Sequence, residues 1–212
     1  MMGDEMSPGP AVRPGGTDLD EGLRMRNRMI AAATAVAAMG IALTAAPTQA
    51  AENSRHCVVN VSTGAESCYT SFTDAIAKST EGRITDAPDD SRAAVNDTRL
   101  VNRLNERTTT KSDTGAAASA PISIMYKNAD FGGDSLIYVG DFDCSWELTD
   151  VNYTLELIGS GFNDEIGSYR AYRGCRLKLF EHRGWSGGSI DFWGTRTDLG
   201  ILDDKASSIL WS

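Results

Sequence analysis

Residues 121–212 of this 212-residue chain are predicted to be all-β, and three observations predict it. Tyr126, Phe131, Gly133, Ser135, Leu136 and Tyr138 are answered by Phe180, Trp185, Gly187, Ser189, Ile190 and Phe192, each pair 54 positions apart. Asn163-Asp164-Glu165-Ile166-Gly167-Ser168 is answered by Asp203-Asp204-Lys205-Ala206-Ser207-Ser208 at an interval of 40. Between these motifs stand short apolar segments at 122–126, 135–139, 155–158, 168–172, 176–180, 189–193, near 199 and at 208–211. Such segments read as strands, and self-similarity at a fixed interval reads as one supersecondary unit used twice.

The first repeated element has the form aromatic-x4-aromatic-x-Gly-x-Ser-aliphatic-x-aromatic. It describes a folded-over hairpin in which glycine relieves the backbone and the aromatic rings lie on the fold. The difference between the two intervals leaves 14 extra residues in the first copy, assigned to 141–154 with Cys144 and Trp146.

Upstream, residues 1–50 read as addressing. Arg26 and Arg28 precede an uncharged, alanine-dominated run from Met29 to Ala46, and Pro47-Thr48-Gln49-Ala50 ends on a small residue. These are the three parts of a secretory signal, with cleavage expected after Ala50 or Ala51. The acidic, Gly/Pro-containing stretch before Met25 suits neither a signal nor a domain, so Met25 is read as the true start. Codons for Glu21-Gly22 can carry a ribosome-binding sequence just upstream of it.

Residues 51–107 are expected to form a small piece of their own. Two short segments, 57–61 and 67–69, flank a turn with Gly64 and predict a hairpin. Ser71 and Asp74 give a helix start, Ala75-Ile76-Ala77 continue it, and Gly82 ends it. A second helix is expected from Arg92 to about Asn105, with no evident partner for its apolar residues. Residues 108–120, TTTKSDTGAAASA, lack apolar periodicity and read as a linker.

Composition excludes several functions. The chain has 20 Lys+Arg against 29 Asp+Glu, and removing 1–50 leaves 16 against 24 with no basic cluster. Nucleic acid is therefore not an expected partner, because phosphate binding needs a basic face. His56 and His182 sit in no zinc-ligand spacing. Gly184-Trp185-Ser186-Gly187-Gly188 matches the GxSxG nucleophile elbow, but no histidine follows His182 and the serine lies inside the repeated hairpin. No catalytic constellation is visible, and the chain is read as a non-enzyme. The sequons at Asn60, Asn96 and Asn152 are read as chance matches. The four cysteines all follow the signal, and export makes them readable as disulfides. Cys57 with Cys68 and Cys144 with Cys175 is the preferred pairing, since each bridge then stays inside one compositional block.

The paired hairpins and acidic loops resemble the βγ-crystallin family over about 121–212. That resemblance implies a sandwich of two four-stranded antiparallel sheets made by two Greek keys, about 121–173 and 174–212. It also implies that the loops bind calcium, each contributing to two sites. Carried over, Asp164, Asp204 and Ser207 would supply side-chain oxygens, while Glu165, Lys205, Ala129 and Arg183 would supply main-chain carbonyls. These are the hard oxygen ligands that calcium takes. Asn163, Asp203, Ser168 and Ser208 would brace the loops. Gly167 stands where the pattern has a hydroxyl, so unequal sites are expected. Three roles follow for a secreted protein with no membrane association after signal removal: calcium-binding structural or interaction module, inhibitor of a secreted metalloproteinase, and killer-toxin-like antimicrobial. Fold alone does not choose among them.

Overall fold

In the computed structural model, residues 54–106, 119–145 and 147–212 are described. The expected signal, the start at Met25, residues 108–118 of the linker and Trp146 lie outside them. Strands β1 (His56–Asn60) and β2 (Glu66–Tyr69) form the expected hairpin, with Cys57 opposite Cys68 and a disulfide between them. Helix α1 (Phe72–Ser79) starts where Ser71 accepts the Asp74 amide at 3.2 Å, and Gly82, at φ 78°, donates back to the Ala77 carbonyl.

The single helix expected over 92–105 is instead two, α2 (Ser91–Asn96) and α3 (Thr98–Asn105). Asp97 separates them in an extended conformation, and its carboxylate accepts the Arg99 and Leu100 amides at 2.8 and 3.3 Å. A short acidic side chain caps a helix start better than it serves a helix interior, and here capping prevails over continuation.

The β-domain contributes β3 (Ala120–Tyr126), β4 (Ser135–Gly140), β5 (Tyr153–Leu155), β6 (Ser168–Ala171), β7 (Leu177–His182), β8 (Ser186–Trp193), β9 (Thr195–Arg196) and β10 (Ser208–Trp211). The strand expected at 155–158 begins earlier, at Tyr153. The region near 199 is a 3-10 turn over Gly200–Leu202, and the strand before it is β9. Two sheets form, ordered β2-β1-β4-β3-β6-β9 and β5-β10-β7-β8. Each Greek key therefore gives its third strand, β5 or β9, to the sheet of the other. Eight strands make the expected pair of four-stranded layers. The hairpin extends one layer to six strands, and β1 runs parallel to β4, so that sheet is mixed and not wholly antiparallel.

One apolar core lies between the sheets and includes Ile122, Leu136, Tyr138, Phe162, Tyr169, Leu179 and Trp211. A second lies between the outer face of the six-stranded sheet and the helices. There Phe72, Ile76, Val95, Leu100 and Leu104 meet Ile124, Tyr126, Ile137 and Val139. This sheet face is the partner that the helical residues lacked in the sequence. It also explains the poor alternation of β3 and β4: both faces are covered, so every residue of each strand is buried.

Cys144 is bonded to Cys175, which ties the 141–154 insertion to the start of the second key. Arg173, nearly buried, joins the same place, donating to Asp143 at 2.5 Å and to the Gly140 carbonyl at 3.2 Å. Tyr153 folds back on the insertion, its hydroxyl bonding both the amide and the carbonyl of Phe142 at 2.8 Å. Two disulfides and no free cysteine among the described residues accord with an oxidising compartment. No described helix is long and apolar enough to cross a membrane.

Candidate cation site

Each acidic loop is held against the hairpin of its own key by the same bonds. Ser168 donates its hydroxyl to the Asn128 carbonyl at 2.6 Å and accepts the Phe131 amide at 3.0 Å. Ser208 does the same with the His182 carbonyl and the Trp185 amide, at 2.6 and 3.0 Å. Both serines are fully buried. The hairpins repeat in backbone as well as sequence: Asp130, Phe131 and Gly133 have φ of 53°, 61° and 77°, and Gly184, Trp185 and Gly187 have 68°, 59° and 81°. Only the middle residue of each trio is an aromatic in left-handed conformation, a strained choice held by the fold around it.

The loops meet each other by a reciprocal pair of backbone bonds. The Asp164 amide donates to the Ala206 carbonyl and the Asp204 amide to the Ile166 carbonyl, each at 3.2 Å. Asp164 and Asp204 both lie at positive φ, 59° and 53°, which aspartate tolerates better than most side chains. Two keys with exchanged third strands and loops joined about a local two-fold decide the fold. Residues 120–212 have the βγ-crystallin fold. No family model and no curated protein matches the chain. Among solved structures it is similar to the N-terminal domain of Protein S, 18% identical over 43% of this chain and 94% of that one with a TM-score of 0.33. It is also similar to a βγ-crystallin from Ciona intestinalis, 24% identical over 41% and 94% with a TM-score of 0.30. A third is the βγ-crystallin domain of Abundant Perithecial Protein from Neurospora crassa in its Ca2+-bound form, 14% identical over 43% and 88% with a TM-score of 0.33.

Within the crystallin domain, the expected ligand residues divide unequally. Asp164, Asp204, Lys205 and Ser207 line one open depression together with Glu181 and His182. The Ser207 hydroxyl donates to the Asp164 carboxylate at 2.9 Å, across the two loops. The other Asp164 oxygen accepts the Asn163 amide group at 2.6 Å, while the side-chain oxygen of Asn163 is buried with no partner among the described residues. The carbonyls of Glu165 and Lys205 accept no hydrogen bond from any described residue, whereas that of Arg183 accepts the Ser186 hydroxyl at 3.1 Å. Burial first, then the charges of Asp204 and Asp198, push the Asp203 carboxyl above its ordinary value. The donors are oxygens of carboxylate, hydroxyl and carbonyl type, and they fit a hard cation.

Gly167 differs from Ser207 in more than a missing hydroxyl. A Cβ there would stand 2.7 Å from the Lys127 carbonyl oxygen and 2.8 Å from the Ala129 nitrogen, both backbone atoms. Gly167 is not among the positive-φ glycines, so the demand is one of space. The hairpin of the first key, carrying Ala129, approaches its loop too closely for any side chain. The only described group of three metal-ligand atoms from His, Cys, Asp or Glu within 4.8 Å of one another is Cys57, Glu66 and Cys68, and both of its sulfurs are spent in a disulfide. Sequence reasoning missed Glu181 at the depression and Lys127, its counterpart in the first key. Extending the 54-residue register to the position after the first aromatic finds both.

Proposed function

We propose that this protein is a secreted, disulfide-bonded βγ-crystallin-type module that binds calcium through its paired acidic loops and has a structural or interaction role, without catalysis. The observation that carries the reading is the meeting of the Ser207 hydroxyl and the Asp164 carboxylate, from loops of different keys, beside Asp204 and Glu181 at one depression. Asp164 and Ser207 would hold the ion with the carbonyls of Lys205 and Arg183, and Asp204 adds charge. Calcium supplies a cross-link between loops that otherwise share two backbone bonds and one side-chain bond. The test is calorimetric titration of the exported chain with calcium, alongside thermal melts. Binding raises stability by RT ln(1 + [L]/Kd), about 2.7 kcal/mol at a hundredfold excess over Kd. No heat and no thermal shift in millimolar calcium would refute the reading.

One feature favours a second reading, inhibition of a metalloproteinase. The 141–154 insertion is pinned by Cys144–Cys175 and by Tyr153, and it turns Phe142, Leu148 and Val151 to solvent, each about half exposed. A constrained loop with exposed apolar residues binds with little ordering cost. An inhibition assay against a thermolysin-type enzyme decides it, and a null result there leaves the calcium reading intact.

A further inference from the structure

The 54- and 40-residue registers place Lys127 opposite Glu181 and Glu165 opposite Lys205, so both keys carry the same pair of positions with the signs exchanged. The two pairs behave differently. In the first key, the Lys127 ammonium contacts the Glu165 carboxylate, lies 3.6 Å from Asp134 and sits 5.2 Å from the centre of the buried Phe162 ring. In the second key, Glu181 and Lys205 form no ion pair. The Glu181 carboxylate accepts the Gly188 amide at 3.2 Å and lines the depression with Asp164 and Asp204. Three carboxylates with one lysine therefore face the second hairpin's depression, while at the first hairpin an ammonium already lies between two carboxylates.

We propose that Lys127 is the built-in counter-ion of the first key, so that the loop pair takes one divalent cation, at the Asp164–Ser207 depression, and none at the Gly167 side. The inference rests on the calcium reading above and deepens it by naming the residue that sets stoichiometry. Two independent observations agree: the ammonium pairs with the Glu165 carboxylate of the first loop, and the backbone at 127–129 leaves no space at Gly167 for a hydroxyl. A fixed positive charge beside the first loop disfavours an incoming divalent ion by like-charge repulsion. Lys127 acts as a specificity-determining residue and not as a ligand.

The experiment is calcium titration by calorimetry of the full chain as wild type, Lys127→Met and Lys127→Glu, with thermal melts of each in EDTA. Methionine keeps the apolar stem over Phe162 and removes the charge, and glutamate reproduces the residue of the second key. The wild type should bind one calcium per chain, Lys127→Glu two, and Lys127→Met one plus a weaker second event. In EDTA both variants should melt below the wild type, Lys127→Glu lowest, and calcium should narrow the gap. Two equal sites in the wild type, or a single site unchanged in both variants, overturns the proposal while the calcium reading stands. A wild type that takes up no calcium overturns the calcium reading instead. The counter-ion role is then decided by the EDTA melts, where unchanged melting of Lys127→Met overturns it.

Discussion

In the first key, β3 and β4 are buried along their whole length, the hairpin between them is held by α2, and the strand-to-strand connection carries a disulfide-pinned insertion. Ser91 donates to the Phe131 carbonyl at 2.6 Å and Arg92 to the Asp130 carbonyl at 3.1 Å, so the helical layer grips that hairpin directly. In the second key, β7 alternates buried and half-buried residues from Leu177 to Phe180 and is exposed at His182, β8 is mostly exposed, and Trp193 stands 57% exposed. The serine braces of the two hairpins and the reciprocal backbone bonds between the loops are nevertheless matched. The repeat thus fixes the skeleton of the site, while coverage and a few charges around it decide what each half does.

Stripping the cover from the first key should have the largest effect. Phe72→Ala empties a side chain that is 1% exposed between α1 and the sheet, and it should cost about 3–5 kcal/mol in denaturant unfolding. Trp193→Ala, on the open face, should change stability by under about 0.5 kcal/mol. A Phe72→Ala cost as small as that of Trp193→Ala would mean that the helices and the crystallin domain do not share one unfolding transition.

Next in size is the bridge between the keys. Replacing Cys144 and Cys175 by alanine releases a sequence separation of 31 and should destabilise by about 3–4 kcal/mol in the chain-entropy account. Non-reducing peptide mapping should first show the 57–68 and 144–175 links.

A smaller effect sharpens the contrast between the loops. Gly167→Ser restores the residue type of the second loop, yet it should lower stability by about 1–3 kcal/mol, because its Cβ meets the backbone of 127–129. It should add no calcium-dependent thermal shift. Ser207→Gly should have a modest cost without calcium and should lose much of the shift that the wild type shows with it. Melting curves of both variants with calcium and with EDTA check the pair.

The smallest expected effect concerns pH. His56 is buried, with its Nδ1 at 2.8 Å from the Ser135 hydroxyl and its ring edge-on to Phe72 at 5.4 Å. Burial holds its pKa below the ordinary imidazole value, with Asp134 and Asp89 opposing. The folded state thus binds the proton less readily than the unfolded chain. Stability from the neutral ring is complete above the unfolded value of about 6.5 and declines as pH falls through it. His56→Asn should flatten that part of the stability–pH curve measured by denaturant titration, and an unchanged slope would assign it to other groups.

Much of the site was legible because it is written in residues with narrow conformational or chemical options. Gly133 and Gly187, at φ 77° and 81°, the loop aspartates and the bracing serines mark the same turns twice. The cysteine pairing was legible because each pair lies within one block of sequence. The parallel pairing of β1 with β4 was not, since nothing in His56–Asn60 names a partner 79 residues away, where His56 pairs with Ser135. The break at Asp97 was hidden by the apolar residues Val95, Leu100, Val101 and Leu104 on either side, although Asn96-Asp97-Thr98 are all poor helix-interior residues and the cap at Asp97 separates the two segments.

By itself, then, the sequence determined a doubled hairpin-and-loop unit, an acidic loop pair and two disulfides, because turns, charges and cross-links act over short distances along the chain. The tertiary structure alone decided which carboxylates share a depression, that Lys127 neutralises Glu165 while Glu181 is left to face Asp164 and Asp204, and that Gly167 has no room for a side chain. Those outcomes depend on distances of a few ångströms between segments tens of residues apart. Local propensity does not encode such distances, and they are set when the two sheets and the helical layer close on their cores.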